Sequence, residues 1–238
     1  MKMQIRSSIP RVTSTSDKGD KMKSSKKSVA ILGLGKYGCS LAENLYNLGE
    51  DVLVADIDER VIRDMAPKVT SAVCADLTNE DEIAALGLQN MDIVIICMGG
   101  NVAASIMSVT IAKEQGVPKV IAKASSPRMK NILKRVGADK IIDPELEGGI
   151  RSARILASQH IHDYFEIDDN LCMVEFLPKK AWVGHNLIEL DLRKKYDLNV
   201  AAIKVEDHDW GYVDPNRRLE ETDLLMVLLE KKDINKWR

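Results

Sequence analysis

The feature that most constrains this chain is a glycine turn set between an apolar run and a helix-length segment: Val29-Ala30-Ile31-Leu32-Gly33-Leu34-Gly35-Lys36-Tyr37-Gly38. An acid, Asp56, ends the next apolar run roughly 20 positions further on. Strand, turn, helix and acid at this spacing are what a dinucleotide-binding βαβ unit requires. Gly33 permits the tight turn, Gly35 lets the backbone approach a phosphate, and Gly38 lets the helix pack on the strand. The phosphates would rest on unpaired N–H groups at a helix N-terminus. The motif speaks for an adenine nucleotide and is silent on chemistry.

Strand-like and helix-like segments alternate from Ser28 to Asp143. The strand candidates are Val29–Gly33, Val52–Asp56, Ala72–Ala75, Ile93–Cys97, Lys119–Ala122 and Lys140–Ile142. Most are unbroken apolar runs, as expected of strands covered on both faces. Helices are predicted over Tyr37–Leu48, Glu59–Met65, Glu80–Leu86, Val102–Gln115 and Arg128–Val136, with Gly49, Gly87, Gly116 and Gly137 as their stops. The expected fold class is α/β, a doubly wound Rossmann sheet, closed by Pro144 and followed by a small α+β lobe. Glu147–His160 reads as a helix leaving the first domain; in the second lobe Leu171–Phe176 reads as a strand and Leu187–Tyr196 as one amphipathic helix. Val200–Val205, Gly211–Val213 and Leu224–Leu229 read as further strands. The expected limits are a basic tail over 1–27, a nucleotide-binding domain over 28–145, a linking helix over 146–162 and the second lobe over 163–238.

Composition excludes several classes. No run approaches the roughly 18 apolar residues of a membrane span. The formal net charge is −2, which gives no general electrostatic case for nucleic acid or anionic lipid. The tail is the exception: Lys2, Arg6, Arg11, Lys18, Lys21, Lys23, Lys26 and Lys27 face only Asp17 and Asp20. It lacks the apolar stretch of a secretory signal and reads as a solvated, disordered arm, or as one that touches a membrane surface or a partner. Cys39, Cys74, Cys97 and Cys172 form no metal-type pair and read as buried, reduced thiols of a cytosolic protein.

The site residues follow from the fold. Asp56 ends the second strand, where its carboxylate can accept both ribose hydroxyls and repel a 2′-phosphate. Asp58 either shares that role or caps the next helix. Lys36 stands between the second and third glycines and reads either as a ligand of the terminal phosphate or as a solvated helix-start lysine. Asp76, Met98, Gly99 and Lys123 end further strands on the carboxyl edge, where ligands of open α/β sheets bind. Tyr37, Ile57 and Leu77 are their neighbours. The four histidines, His160, His162, His185 and His208, make no triad and no metal pair, and no phosphate-binding G-x-x-x-x-G-K-[ST] occurs. No catalytic residue is expected.

With the loop, Asp56, the small second lobe and the missing catalytic group assembled, the chain resembles the RCK (KTN) proteins, cytosolic regulatory subunits of Trk/Ktr-type potassium-uptake systems. The resemblance spans about 28–235. It is carried by Ile31–Gly38, Val52–Asp58, Gly137-Ala138-Asp139-Lys140-Ile141-Ile142-Asp143-Pro144-Glu145, Leu190–Tyr196 and Val200–Lys204. It implies ATP, ADP or NAD(H) in the first lobe, and homodimers assembled into an octameric ring. It also implies docking of that ring on a membrane-embedded potassium-translocating subunit at the cytoplasmic face, with no nucleic acid involved. At Lys36 the resemblance implies contact with the terminal phosphate across a subunit boundary. Arginine is common at that position, and lysine keeps the charge but loses the planar fork. At Glu145 it implies support of a divalent cation, Mg2+ or Ca2+, between nucleotide phosphates. Ile188, Arg193 and Pro215 fall at positions similar to a cyclic di-AMP site in the second lobe.

Two other readings stay open at this point. An NAD-dependent oxidoreductase is compatible with the first lobe, although the second is small for a substrate domain. A cyclic di-AMP sensor would use the first nucleotide as a structural element only.

Overall fold

The computed structural model describes residues 26–158, 160–206 and 208–237. Eleven strands and eight α-helices follow one another over those residues, in two sheets. β1 (Ser28–Leu32), β2 (Asp51–Asp56), β3 (Ser71–Cys74), β4 (Ile93–Ile96), β5 (Lys119–Lys123) and β6 (Lys140–Ile142) form a six-stranded sheet in the order β3-β2-β1-β4-β5-β6. This is the Rossmann order predicted from the sequence. The helices of this part are α1 (Lys36–Asn47), α2 (Glu59–Met65), α3 (Glu80–Ala85), α4 (Val102–Glu114) and α5 (Pro127–Arg135). The second sheet is antiparallel, β10-β9-β11-β8-β7, from β7 (Ile161–Glu166), β8 (Leu171–Phe176), β9 (Asn199–Lys204), β10 (Trp210–Gly211) and β11 (Leu224–Glu230).

The chain divides into two compact units, one of residues up to Met98 with Ala103–Val120, the other of Gly99–Val102 and Ile121 onward. In the first, β1 pairs in parallel with β2 and β4, and β2 with β3. Val29, Ala30, Ile31 and Leu32 are all buried, as are Val52, Val54, Ala55, Val94 and Ile96. Strands without polar alternation are therefore covered on both faces. The four helix-stop glycines all take positive φ, from 70° at Gly87 to 106° at Gly137.

In the second unit the pattern changes to period two. Cys172, Val174 and Phe176 on β8 and Leu225, Val227 and Leu229 on β11 are buried, alternating with half-buried neighbours. They share one cluster with Trp182, Leu192, Leu198, Leu219 and Ile234. Asp223 is buried beside them because Arg217 donates to both of its carboxylate oxygens, at 2.6 and 2.9 Å.

Four sequence expectations change. The helix expected from Glu147 begins earlier: Pro144 is the first residue of α6 (Pro144–Leu156), with Asp143 as the cap. The helix expected to reach His160 stops earlier, because Ser158 Oγ accepts from the N–H groups of His160 and Ile161 and β7 follows. His162 is therefore on a strand, not a helix. The helix expected over Leu187–Tyr196 is two: α7 (Leu187–Leu190) and α8 (Leu192–Tyr196), separated by Asp191 at φ 47°. In one straight helix Leu192 would point about 140° away from Leu187. The break turns Leu192 into the cluster against which Leu187 and Leu190 also pack. Cys74 is exposed, because β3 is an edge strand with little cover, and Cys39 is only half-buried. All four cysteines are free.

The expected basic arm lies outside the described residues except for its end. There Lys26 pairs with Asp51 at 2.5 Å and the Lys27 N–H donates to Glu50 at 2.5 Å. Among the described residues no helix is long and apolar enough to cross a membrane.

Candidate nucleotide site

The three loop glycines have three different reasons to be glycine. Gly33 has φ 96°, and a Cβ there would lie 2.6 Å from Met98 Cγ. Gly38 is the start of α1 pressed on the turn, since a Cβ would meet the Gly33 carbonyl oxygen at 2.1 Å. At Gly35, with φ −67°, a Cβ would touch nothing within 4 Å. No part of the protein demands glycine there, and the open space lies where a phosphate would approach the loop.

Gly35 is also the N-cap of α1, which has no side-chain cap and no acid in its first turn. The neighbouring helices are finished differently: Asp58 caps α2, Asn79 caps α3 and Ser126 caps α5. α1 therefore keeps N–H donors and the positive end of its dipole without an internal anion. Lys36, the first residue of α1, is exposed and makes no ion pair among the described residues. Tyr37 beside it is half-buried.

Asp56 is placed by the loop it serves. One carboxylate oxygen accepts from the Leu34 N–H at 2.6 Å and the other from the Asp58 N–H at 3.0 Å. These bonds fix its rotamer and leave further lone pairs for hydroxyl donors. Asp58 spends its side chain on capping, accepting from the Arg60 N–H at 2.9 Å. Ile57 between them is exposed. Asp76 follows β3 and folds into its own turn, with Thr78 hydroxyl and N–H on one oxygen at 2.7 and 2.8 Å. Those two bonds, the hydroxyl's first, hold its carboxyl below the usual range. Leu77 is buried. Ser105 carries no motif in the sequence, yet its hydroxyl donates to the Met98 carbonyl at 2.6 Å and holds the segment that backs Gly33. Cys39 donates to the Leu34 carbonyl, and burial pushes its thiol up, away from nucleophilic use.

In the second unit Gly99, Lys123 and Glu145 form a separate cluster. A Cβ on Gly99 would touch Lys123 Nζ at 3.7 Å, and Lys123 is paired with Glu145 near the start of α6. Lys123 is the main cause of a Glu145 carboxyl below the ordinary carboxylate range. No group of three or more metal-ligating side chains occurs among the described residues. Ile188, Arg193 and Pro215 are all exposed, on α7, α8 and the loop after β10.

A Rossmann sheet whose first helix begins on an uncapped glycine turn, followed by a five-stranded antiparallel lobe, is an α/β architecture of the nucleotide-binding type with a small second lobe. The sequence model of the TrkA-N domain matches residues 29–144. The fold agrees with the GsuK channel at a TM-score of 0.63 and 16% identity, over 90% of this chain and 39% of that one. It agrees with the GsuK RCK domain at 0.60 and 15%. This chain spans less than half the length of either. Closer in sequence is the Ktr system potassium uptake protein A of Bacillus subtilis, 32% identical over 211 residues, 89% of this chain and 95% of that one. Protein C of the same system is 34% identical over 212 residues, 89% and 96% of the two chains. Protein A of Vibrio alginolyticus is 34% identical over 207 residues, 87% and 94%. The chain belongs to the family of Ktr system potassium uptake proteins.

Proposed function

We propose that this chain is the cytosolic, nucleotide-binding regulatory subunit of a potassium uptake system, and that it gates a membrane-embedded partner rather than catalysing a reaction. The observation that carries this reading is the start of α1, an uncapped helix end on a glycine turn with Asp56 fixed beside it. Asp56 takes the ribose, the N–H groups of α1 take phosphate, and Lys36 reads the terminal phosphate. Tyr37, Asp76, Leu77 and Met98 complete the surroundings of the nucleoside, and Ile57 and Asp58 flank it. Domain limits of 28–145, 146–162 and 163–238 follow from the same reading.

ATP and ADP share the adenosine and differ at the end that Lys36 meets. Only a ligand with unequal affinity for two conformations shifts their balance, and a coupling of about 1–3 kcal/mol is usual for such switches. A homodimer built into an octameric ring at the cytoplasmic face is the assembly that would convert this preference into force on the partner. Mg2+ or Ca2+ with ATP, NAD(H) as the alternative nucleotide, and cyclic di-AMP on the second lobe are further ligands of this reading. A structural relative, the GsuK channel, is described bound to NAD.

Isothermal titration of the purified chain with ATP, ADP, NADH and NAD tests the proposal, each with and without a divalent cation. Preferential binding of ATP or ADP, with Lys36→Ala narrowing the difference between them, is the expected result. NADH binding that excludes ATP would replace this reading with a redox one.

A further inference from the structure

The formal charge of −2 hides a segregation along the chain. Residues 1–27 hold eight of the 34 Lys and Arg and two of the 36 Asp and Glu, which leaves 26 cations against 34 acids beyond them. An arm of +6 thus precedes a body of −8. The TrkA-N match begins at residue 29, after the arm. The base of the arm is fixed to the body. Lys26 pairs with Asp51 at 2.5 Å, the Lys27 N–H donates to Glu50 at 2.5 Å, and the Ser28 N–H donates to Asp92 at 2.8 Å. Lys26 is engaged there, and six further cations precede it. The arm joins β1 at its amino end, whereas the glycine loop follows the carboxyl end of the same strand. The end of α1 lies on that amino edge and exposes two apolar side chains, Tyr46 and Leu48, the second at 78%. Leu48 is two residues from Glu50, the acceptor of the Lys27 N–H.

We propose that the arm and this amino edge form one surface that docks on an anionic lipid bilayer. Each Lys or Arg near anionic headgroups raises partitioning on the order of fivefold. Met1, Met3, Ile5, Ile9 and Val12 are interleaved with Lys2, Arg6 and Arg11, so apolar side chains enter the interface beside the charges. The arm has no aromatic residue, the platform on which single-stranded nucleic acid is stacked, and this favours lipid over nucleic acid. Lys23 lies five residues before Ser28, a reach of at most about 17 Å. Docking of Lys18, Lys21 and Lys23 therefore draws the amino edge to the surface, where Leu48 enters the interface and Tyr46 meets the headgroups. Glu50, Asp51 and Asp92 already accept from Lys26, Lys27 and Ser28, which blunts their repulsion of the bilayer. The glycine loop, at the other end of β1, stays clear of the lipid. The inference rests on the proposed function only for the presence of a membrane beside the protein.

The test is co-sedimentation of the full chain with vesicles of phosphatidylcholine alone, and of phosphatidylcholine mixed with phosphatidylglycerol. Binding is expected to the mixed vesicles only, and to weaken as salt is raised. Replacing Lys18, Lys21 and Lys23 together by Gln should lower that binding roughly a hundredfold, and Leu48→Ser should lower it about fivefold. No binding to the mixed vesicles, or equal binding to both kinds, overturns the inference. So does a triple variant that binds like the wild type. Unchanged binding of Leu48→Ser overturns the part given to the amino edge. Tighter binding of a mixed-sequence oligonucleotide than of the mixed vesicles overturns the choice of lipid. Titration with ATP and ADP separates this inference from the proposed function. The triple variant should bind both nucleotides as the wild type does. Vesicle binding by a protein that binds neither nucleotide supports the docking surface and removes the nucleotide function. Nucleotide binding without vesicle binding overturns the surface and leaves that function standing.

Discussion

α1 and α6 both begin just after a strand of the parallel sheet, and they treat their first-turn N–H groups in opposite ways. α1 starts on Gly35 with no side-chain cap and no acid, backed by buried apolar strands. α6 starts on Asp143, Pro144 and Glu145, so that cap, rigid first residue and acid are all supplied from within. One helix end is shaped by packing and left chemically open, while the other is shaped by charge and filled. The difference teaches where an external anion gains most: at the end where neither the cap nor the first turn supplies a negative charge.

The comparison breaks most severely at Gly38. Gly38→Ala places a Cβ 2.1 Å from the Gly33 carbonyl. Thermal unfolding should show a loss of about 1–3 kcal/mol, and titration should show nucleotide binding abolished. A variant that binds normally would mean that α1 is not fixed by its contact with the turn. Asp56→Ala comes next. It removes the acceptor of two backbone N–H groups as well as the ribose partner. The expected cost is at least tenfold in adenine-nucleotide affinity, from hydrogen bonds to a charged group of about 1.5–3 kcal/mol each. Unchanged affinity would remove the acid from the site.

Smaller effects sharpen the contrast at α6. Asp143→Ala should lower stability by about 1 kcal/mol in a denaturant melt, the usual value of a lost cap, while leaving ATP affinity unaltered in EDTA. The last prediction concerns pH. Arg151 holds the Asp163 carboxyl below its ordinary range, chiefly through their hydrogen bonds. A group with a depressed folded-state pKa stabilises above its unfolded value and loses that contribution as pH falls through the folded one. Melting temperature should therefore decline below about pH 4, and Asp163→Asn should flatten that decline. An acid limb identical in both proteins would show that the clamp of α6 on β7 is not electrostatic.

Much of this was legible in the residues, for physical reasons that also mark where legibility ends. The parallel strands announce themselves because burial on both faces demands unbroken apolar runs, as in Val29–Leu32. The loop was readable because three glycines and Asp56 act over short distances in sequence. β7 was hidden by a bulge between Ile161 and Asp163, which separates the buried Ile161 and Tyr164 by three positions instead of two. The α7–α8 break was hidden because Asp191 takes a left-handed backbone that no helical periodicity signals. The Lys123–Glu145 pair joins residues 22 apart, on a strand and a helix, and only the fold brings them together. Ser105 is an ordinary helical serine until its bond to Met98 is seen.

The empty space around Gly35 has a consequence for how such a chain can change over generations. Folding makes no steric demand there, so alanine at that position should pass any screen that reads only stability or expression. A screen that requires the ligand should reject it. Position 35 therefore separates two kinds of selection that act together at Gly33 and Gly38, and a mutational scan read both ways would show which loop glycine belongs to the ligand alone.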